Sequence, residues 1–214
     1  MQSYERLKIA YNQKKNLIRK RLYEFEEVWK RQDNNEIFAE LCFCILTANA
    51  SAKMGLRSID SLGDKLYSGT FYEISNALKG VHRFYNTRAG YIFETRENLT
   101  RYYNFNLVGL IKSFDSKLEL RKFFAESRLI KGLGYKEASH FLRNIGFKGF
   151  AILDKHILNT MCRLNIICEK PKTLTPKKYL ELEEKLQNFA KDINIDFDEL
   201  DLLIWSEQTG EILK

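Results

Sequence analysis

Leu129-Ile-Lys-Gly-Leu-Gly-Tyr-Lys-Glu-Ala-Ser-His-Phe-Leu-Arg143 is the stretch on which the fold turns. Gly132 and Gly134 flank one apolar residue, Leu133, with amphipathic segments on both sides. Ser116 to Ile130 precedes them, with Leu118, Leu120, Phe123, Phe124 and Leu129 at its apolar positions, and about Tyr135 to Asn144 follows, closed by Gly146. This spacing predicts two helices joined by a tight hairpin, Leu133 turned into the helix pair and the two glycines freeing the backbone. Amides at such a turn, and at the start of the following helix, face outward where the positive end of the helix dipole suits a phosphate. A helix-hairpin-helix over residues 118–146 therefore grips a nucleic-acid backbone without reading its sequence. The alternative is an ordinary αα-turn with glycine there for steric reasons.

Helical periodicity extends outward in both directions. Leu7, Tyr11, Leu17, Ile18, Leu22, Phe25 and Trp29 recur at helical spacing through residues 4–31, predicting one or two amphipathic helices, with Lys14 to Arg21 as a solvated basic face. Glu36 to Ala50 is apolar nearly all round, as in a helix buried on most sides. Shorter helices are expected over 55–67, 70–79, 84–102, 106–113 and from Ile157 to Leu164. Thr175-Pro176 places an N-cap before a first-turn proline. Asp196 with Glu199 resembles a capping box opening a last helix that Gly210 closes. Phe150 to Leu153 is the best strand candidate and equally an extended loop. The class is all-α, as two helical lobes with a central cleft: residues 1–34 plus 155–214 form the terminal lobe and 35–154 the central one.

The 35 Lys+Arg against 28 Asp+Glu give a formal charge of +7, which favours a polyanionic partner. Leu41 to Ala52, the most apolar stretch, is far short of the ~20 residues needed to cross a bilayer. The first residues lack the apolar core of a secretory signal, so a cytoplasmic, nucleoid-associated location is expected. Cys42, Cys44, Cys162 and Cys168 fit neither a disulfide framework nor a zinc site; no metal or cofactor is expected, and no membrane partner. Nothing indicates oligomerisation, so a monomer is expected.

Lys136 stands at the start of the second hairpin helix, and eighteen residues later Asp154 follows the apolar run and precedes Lys155-His156. Leu133-Gly-Tyr-Lys136 and Leu153-Asp-Lys-His156 together resemble the helix-hairpin-helix base-excision DNA glycosylases, whose pattern is the G-x-G hairpin, a nucleophilic lysine and an aspartate ahead of the next helix. The resemblance extends to Ile45-Leu-Thr-Ala-Asn49 and Arg88-Ala-Gly-Tyr91-Ile, covering residues 36–165 and the C-terminus. It implies Lys136 and Asp154 as catalytic residues facing each other across the cleft. Lysine attacks a sugar carbon only as the neutral amine, and an aspartate nearby stabilises the oxocarbenium-like charge as the base departs. A lysine nucleophile implies a Schiff base and therefore β-elimination of the strand. A solvated surface lysine and a plain N-cap are the bland alternatives, and the cap role coexists with catalysis.

Residues 169–214 hold no cysteine for the iron–sulfur cluster of some branches, and no strand-rich N-terminal segment is seen. The remaining likeness is to the compact archaeal-type 8-oxoguanine DNA glycosylase/AP lyase family, carried by Lys136 to Asn144 and the terminal Gly210-Glu-Ile-Leu-Lys214. It implies double-stranded DNA containing 8-oxoguanine as partner. Lys214, Trp205, His140 and Phe84 are expected to bind the base: Lys214 through its carboxylate, Trp205 and Phe84 by stacking, His140 as a pocket border. Trp205 could instead be core, and His140 a partly exposed helix residue. Asn49, Gly132, Gly134 and His156 are expected at the DNA, Asn49 filling the gap left by the extruded base or serving as a C-terminal cap. The rival functions are a glycosylase for another damaged base and a non-catalytic DNA-binding module.

Overall fold

The computed structural model describes residues 2–212, and every regular element among them is helical. In chain order these are α1 (Gln2–Arg31), α2 (Asn34–Thr47), α3 (Ala52–Leu62), α4 (Lys65–Ser68), α5 (Phe71–Leu78), α6 (Tyr85–Tyr103), α7 (Leu107–Lys112), α8 (Lys117–Glu126), α9 (Tyr135–Asn144), α10 (Lys155–Arg163), α11 (Pro176–Ile193) and α12 (Phe197–Thr209). Among these residues no helix is long and apolar enough to cross a membrane.

The periodic segments become helices, with ends set by local chemistry, except that the expected 55–67 helix divides into α3 and α4 at Gly63 and Asp64. Residues 4–31 lie on one continuous helix, α1, in which Leu7, Ile18 and Phe25 are buried but Leu17 is 61% exposed. The basic block on α1 is not merely a solvated face. Lys14 reaches Glu207 at 2.5 Å and Arg19 reaches Glu199 at 2.8 Å, both on α12. Tyr11 also donates to Glu199, so that carboxylate is not returned to the Asp196 amide as a full capping box requires; Asp196 alone caps α12, accepting from the Asp198 and Glu199 amides. The predicted helix from Ser116 stops at Glu126 rather than Ile130, because Ser127 turns extended and its hydroxyl accepts from the Leu129 amide. α10 starts at Lys155, two residues earlier than expected, under the Asp154 cap. Residues 150–153 form an extended loop and not a strand.

Two apolar clusters form. One runs from Val28 to Phe150 around α2, whose residues from Leu41 to Thr47 are all buried. The other combines Leu7 to Phe25 of α1 with Ala151 to Ile204.

Between them the loop crosses with its amides in side-chain hands. Gly149 N donates to Asp198 Oδ1 at 2.8 Å, Ala151 N to Glu183 Oε1 at 2.8 Å, Ile152 N to Asp201 Oδ1 at 3.0 Å and Leu153 N to Tyr179 Oη at 3.2 Å. Two buried arginines balance this acidity. Arg143 bonds Asp201 at 3.0 Å, and Arg121 bonds Glu183 at 2.7 Å with its guanidinium 4.9 Å from the Phe150 ring centroid.

Among the described residues Asp198 has no such cation in direct contact, and burial with Asp196 and Asp201 nearby pushes its carboxyl up to about 6. A raised carboxyl pKa means that the folded state holds the proton more tightly than the unfolded chain. Stability from this group is full below the unfolded value, 3.8, and is lost as pH rises through 6. Relative to Asp198→Asn, the wild type should gain ~1 kcal/mol of unfolding free energy between pH 7 and pH 5. Urea denaturation of both proteins at the two pH values checks this; parallel pH dependences would refute it.

Candidate active site

The hairpin is pinned to α6. Lys131 N donates to Thr95 Oγ1 at 2.9 Å, and Asn98 Nδ2 donates to Leu129 O at 2.9 Å. Gly132 adopts φ +78°, and a Cβ there would lie 2.4 Å from the Tyr91 ring. Gly134 differs from expectation: its backbone is extended, and a Cβ would meet only Glu137 Oε2, at 3.5 Å. Its amide is exposed and is capped by that same oxygen, which accepts from it at 3.3 Å. Leu133 packs half-buried against the larger cluster, as its apolar character requires.

α9 then projects Lys136, His140 and Arg143 at successive helical turns on one face. They line a cavity of about 70 Å³ together with Asp154, Asp201 and Trp205, its wall completed by Thr47, Ala50, Ala52, Ile152 and Ile157. Lys136, Asp154, His140 and Trp205, picked from separate parts of the sequence, therefore share one cavity. His140 is buried, not partly exposed, with its ring 5.6 Å from Phe43. Trp205 is half-buried, combining core packing with a place on the wall.

Asp154 caps α10, its Oδ1 accepting from His156 N at 2.8 Å and Ile157 N at 2.9 Å. Lys136 Nζ pairs with Glu137 Oε1 at 2.9 Å rather than with Asp154. Burial pushes the Asp201 carboxyl up, with the Asp154 charge adding to it and Arg143 opposing. Among the described residues no group of three or more metal-ligating side chains is gathered.

Other expected residues lie around this cavity. Asn49 is exposed and left-handed, φ +60°, just after α2, which is cap geometry; its carbonyl accepts from Arg83. Phe84 is 41% exposed and is not part of the cavity wall; the Arg83 guanidinium lies 4.5 Å from its ring centroid. His82 fixes that neighbourhood, its Nε2 2.9 Å from Leu46 O and its Nδ1 accepting from Phe84 N at 3.0 Å. His156 is half-buried at the start of α10. Lys214 lies outside the described residues.

Sequence reasoning missed Glu137, Arg143 and Asp201. The Gly134-x-x-Glu137 spacing is a capping-box signal for the first. Arg143 follows Lys136 by seven residues and Asp201 precedes Trp205 by four, so helical spacing from the residues already chosen points to both.

A family model described as 8-oxoguanine DNA glycosylase matches residues 18–195. An 8-oxoguanine DNA glycosylase/AP lyase of Methanocaldococcus jannaschii is 44% identical over 201 residues, covering 94% of this chain and 93% of the relative. One of Fusobacterium nucleatum is 38% identical, covering 99% and 97%. The crystal structure of the Methanocaldococcus jannaschii 8-oxoguanine glycosylase/lyase in complex with 15mer DNA containing 8-oxoguanine superposes with a TM-score of 0.91 at 41% identity, covering all of both chains. The 8-oxoguanine DNA glycosylase of Thermotoga maritima gives 0.88 at 35% identity, covering all of this chain and 99% of that one.

The two hairpin glycines separate in a stability measurement. Gly132→Ala must adopt a left-handed backbone and displace Tyr91, a cost of ~2 kcal/mol or more, whereas Gly134→Ala should stay within ~1 kcal/mol of wild type. Equal urea midpoints for the two variants would contradict this.

Proposed function

The chain belongs to the 8-oxoguanine DNA glycosylase family, and on that premise we propose that it excises 8-oxoguanine from duplex DNA through Lys136 and then cleaves the strand. The observation that carries the proposal is the cavity in which Lys136, Asp154, His140 and Trp205 converge. Lys136 attacks C1′ as the neutral amine, forming the Nζ–C1′ bond while the glycosidic bond breaks and the base leaves with its electron pair and a proton. Asp154 stabilises the positive charge that develops on the sugar; its Oδ2 has no hydrogen-bond partner among the described residues, which supports that role. Ring opening gives the Schiff base, loss of a C2′ proton expels the 3′ phosphate, and water returns Lys136.

Trp205 stacks on the flipped base and His140 borders it. Phe84, though outside the cavity wall, covers the opposite face of the base once DNA brings it in. Lys214 helps read the base at the N7 proton that distinguishes 8-oxoguanine from guanine. Asn49, Gly132, Gly134 and His156 hold the duplex. The lobes 1–34 plus 155–214 and 35–154 form the two sides of the cleft, a division supported by the two apolar clusters. The enzyme acts as a monomer at the cytoplasmic nucleoid and uses no metal or cofactor.

Borohydride should trap a covalent adduct on a duplex carrying 8-oxoguanine opposite cytosine. Lys136→Gln should abolish the adduct, and Asp154→Asn should slow it by ~10²-fold or more. An adduct that survives Lys136→Gln would sink the Schiff-base reading. Deletion of Lys214 should lower the preference for 8-oxoguanine over guanine in excision assays; unchanged discrimination would remove the tail from the base pocket.

A further inference from the structure

We infer that Glu137 is a positioning residue for Lys136: in the DNA-free protein it holds the amine at the cavity as an ion pair tethered to the hairpin, and so governs the pH at which the nucleophile is released. The inference rests on the Schiff-base reading of Lys136.

Three observations lead to it. The Lys136 Nζ to Glu137 Oε1 distance is 2.9 Å, and the two side chains are only 26% and 16% exposed. The other carboxylate oxygen, Oε2, accepts from the Gly134 amide, so Glu137 is fixed to the backbone of the hairpin rather than swinging in solvent. Asp154, the other carboxylate expected to attend Lys136, has its Oδ1 shared between two amides of α10 and forms no ion pair with the lysine among the described residues.

The remaining polar groups around the pair do not substitute for Glu137. His140 and Arg143 come from α9, Asp154 from the start of α10, and Asp201 from α12, where it is bound to Arg143. The Cys44 thiol of α2 lies within electrostatic reach of both members of the pair, and Arg88 of α6 interacts electrostatically with Glu137. Glu137 is thus the negative charge in direct contact with Nζ.

Attack on C1′ requires Nζ to give up a proton, and a carboxylate in contact favours the charged ammonium. The pair therefore fixes the position of the amine while holding it in its unreactive form. Glu137 acts through Lys136 and touches no substrate atom.

The test is single-turnover borohydride trapping on the 8-oxoguanine duplex across pH, for wild type, Glu137→Gln and Glu137→Asp. Glutamine keeps an acceptor for the Gly134 amide but lacks the charge, so the acid limb of the rate profile should move to lower pH. Glu137→Asp keeps the charge and should hold the limb near the wild-type position. Thermal midpoints separate this from unfolding: a shifted limb with an unchanged midpoint is the positioning effect. A Glu137→Gln profile that superimposes on wild type, or a limb displaced equally by Glu137→Asp, would overturn the inference. Absence of any wild-type adduct would instead overturn the Schiff-base reading on which it rests.

Discussion

From Gly149 to Leu153 the chain passes through the interior without a neighbouring strand, and a buried amide left unbonded costs roughly 1–3 kcal/mol. Asp198, Glu183, Asp201 and Tyr179 remove that cost at four positions. All four come from α11 and α12, so the C-terminal helices determine the path by which the chain leaves the hairpin. Asp154 is the next residue, its amide bonded to Ile152 O at 2.7 Å. The position of a carboxylate on the cavity wall is therefore set by residues up to about fifty positions further along the chain. Arg143 and Arg121 make this acidity tolerable, and Arg143 does so from the helix that carries Lys136. The two sides of the cavity are joined by the Arg143–Asp201 pair.

α6 performs the matching task for the hairpin. Tyr91, Thr95 and Asn98 hold the Leu129–Gly132 turn. Three positions earlier, Arg88 bonds Ala48 O at 2.5 Å and so fixes the end of α2 beside Asn49. One helix thus sets the spacing between the hairpin and the turn that carries Asn49, both assigned to DNA. This spacing matters because phosphate contacts give register, and a group meant to enter the duplex must keep a fixed distance from them.

The parts of the fold written in local pattern were legible. The hairpin, the burial of α2, the Thr175-Pro176 helix start and the Gly210 stop all follow from residues within one or two turns of each other. That Lys136 and Asp154 share a cavity could be anticipated because a motif pair fixes their separation, and His140 joins them because it lies one turn on. The buried arginine–carboxylate pairs were not, since Arg121 and Glu183 are 62 positions apart and no spacing links them. The basic block on α1 is largely solvated as expected, but its ion pairs were not legible for the same reason: the carboxylates that bind Lys14 and Arg19 lie at the other end of the chain. Phe84 was assigned to the base pocket by likeness, and its place outside the cavity wall, beside His82 and Arg83, is one that no periodicity encodes.

Cys42 and Cys44 lie wholly buried in α2, and burial pushes both thiols upward, well above the ordinary range. A thiol reacts with peroxide as the thiolate, and only where the oxidant can reach it. Both conditions fail here, a few residues from the cavity. The lesion assigned to this enzyme is itself a product of oxidative attack on DNA, so demand for repair rises under the conditions that inactivate exposed cysteine enzymes. By keeping its central thiols protonated and out of solvent, and with the amine nucleophile proposed above, the protein would carry a chemistry that the damaging agent does not readily disable.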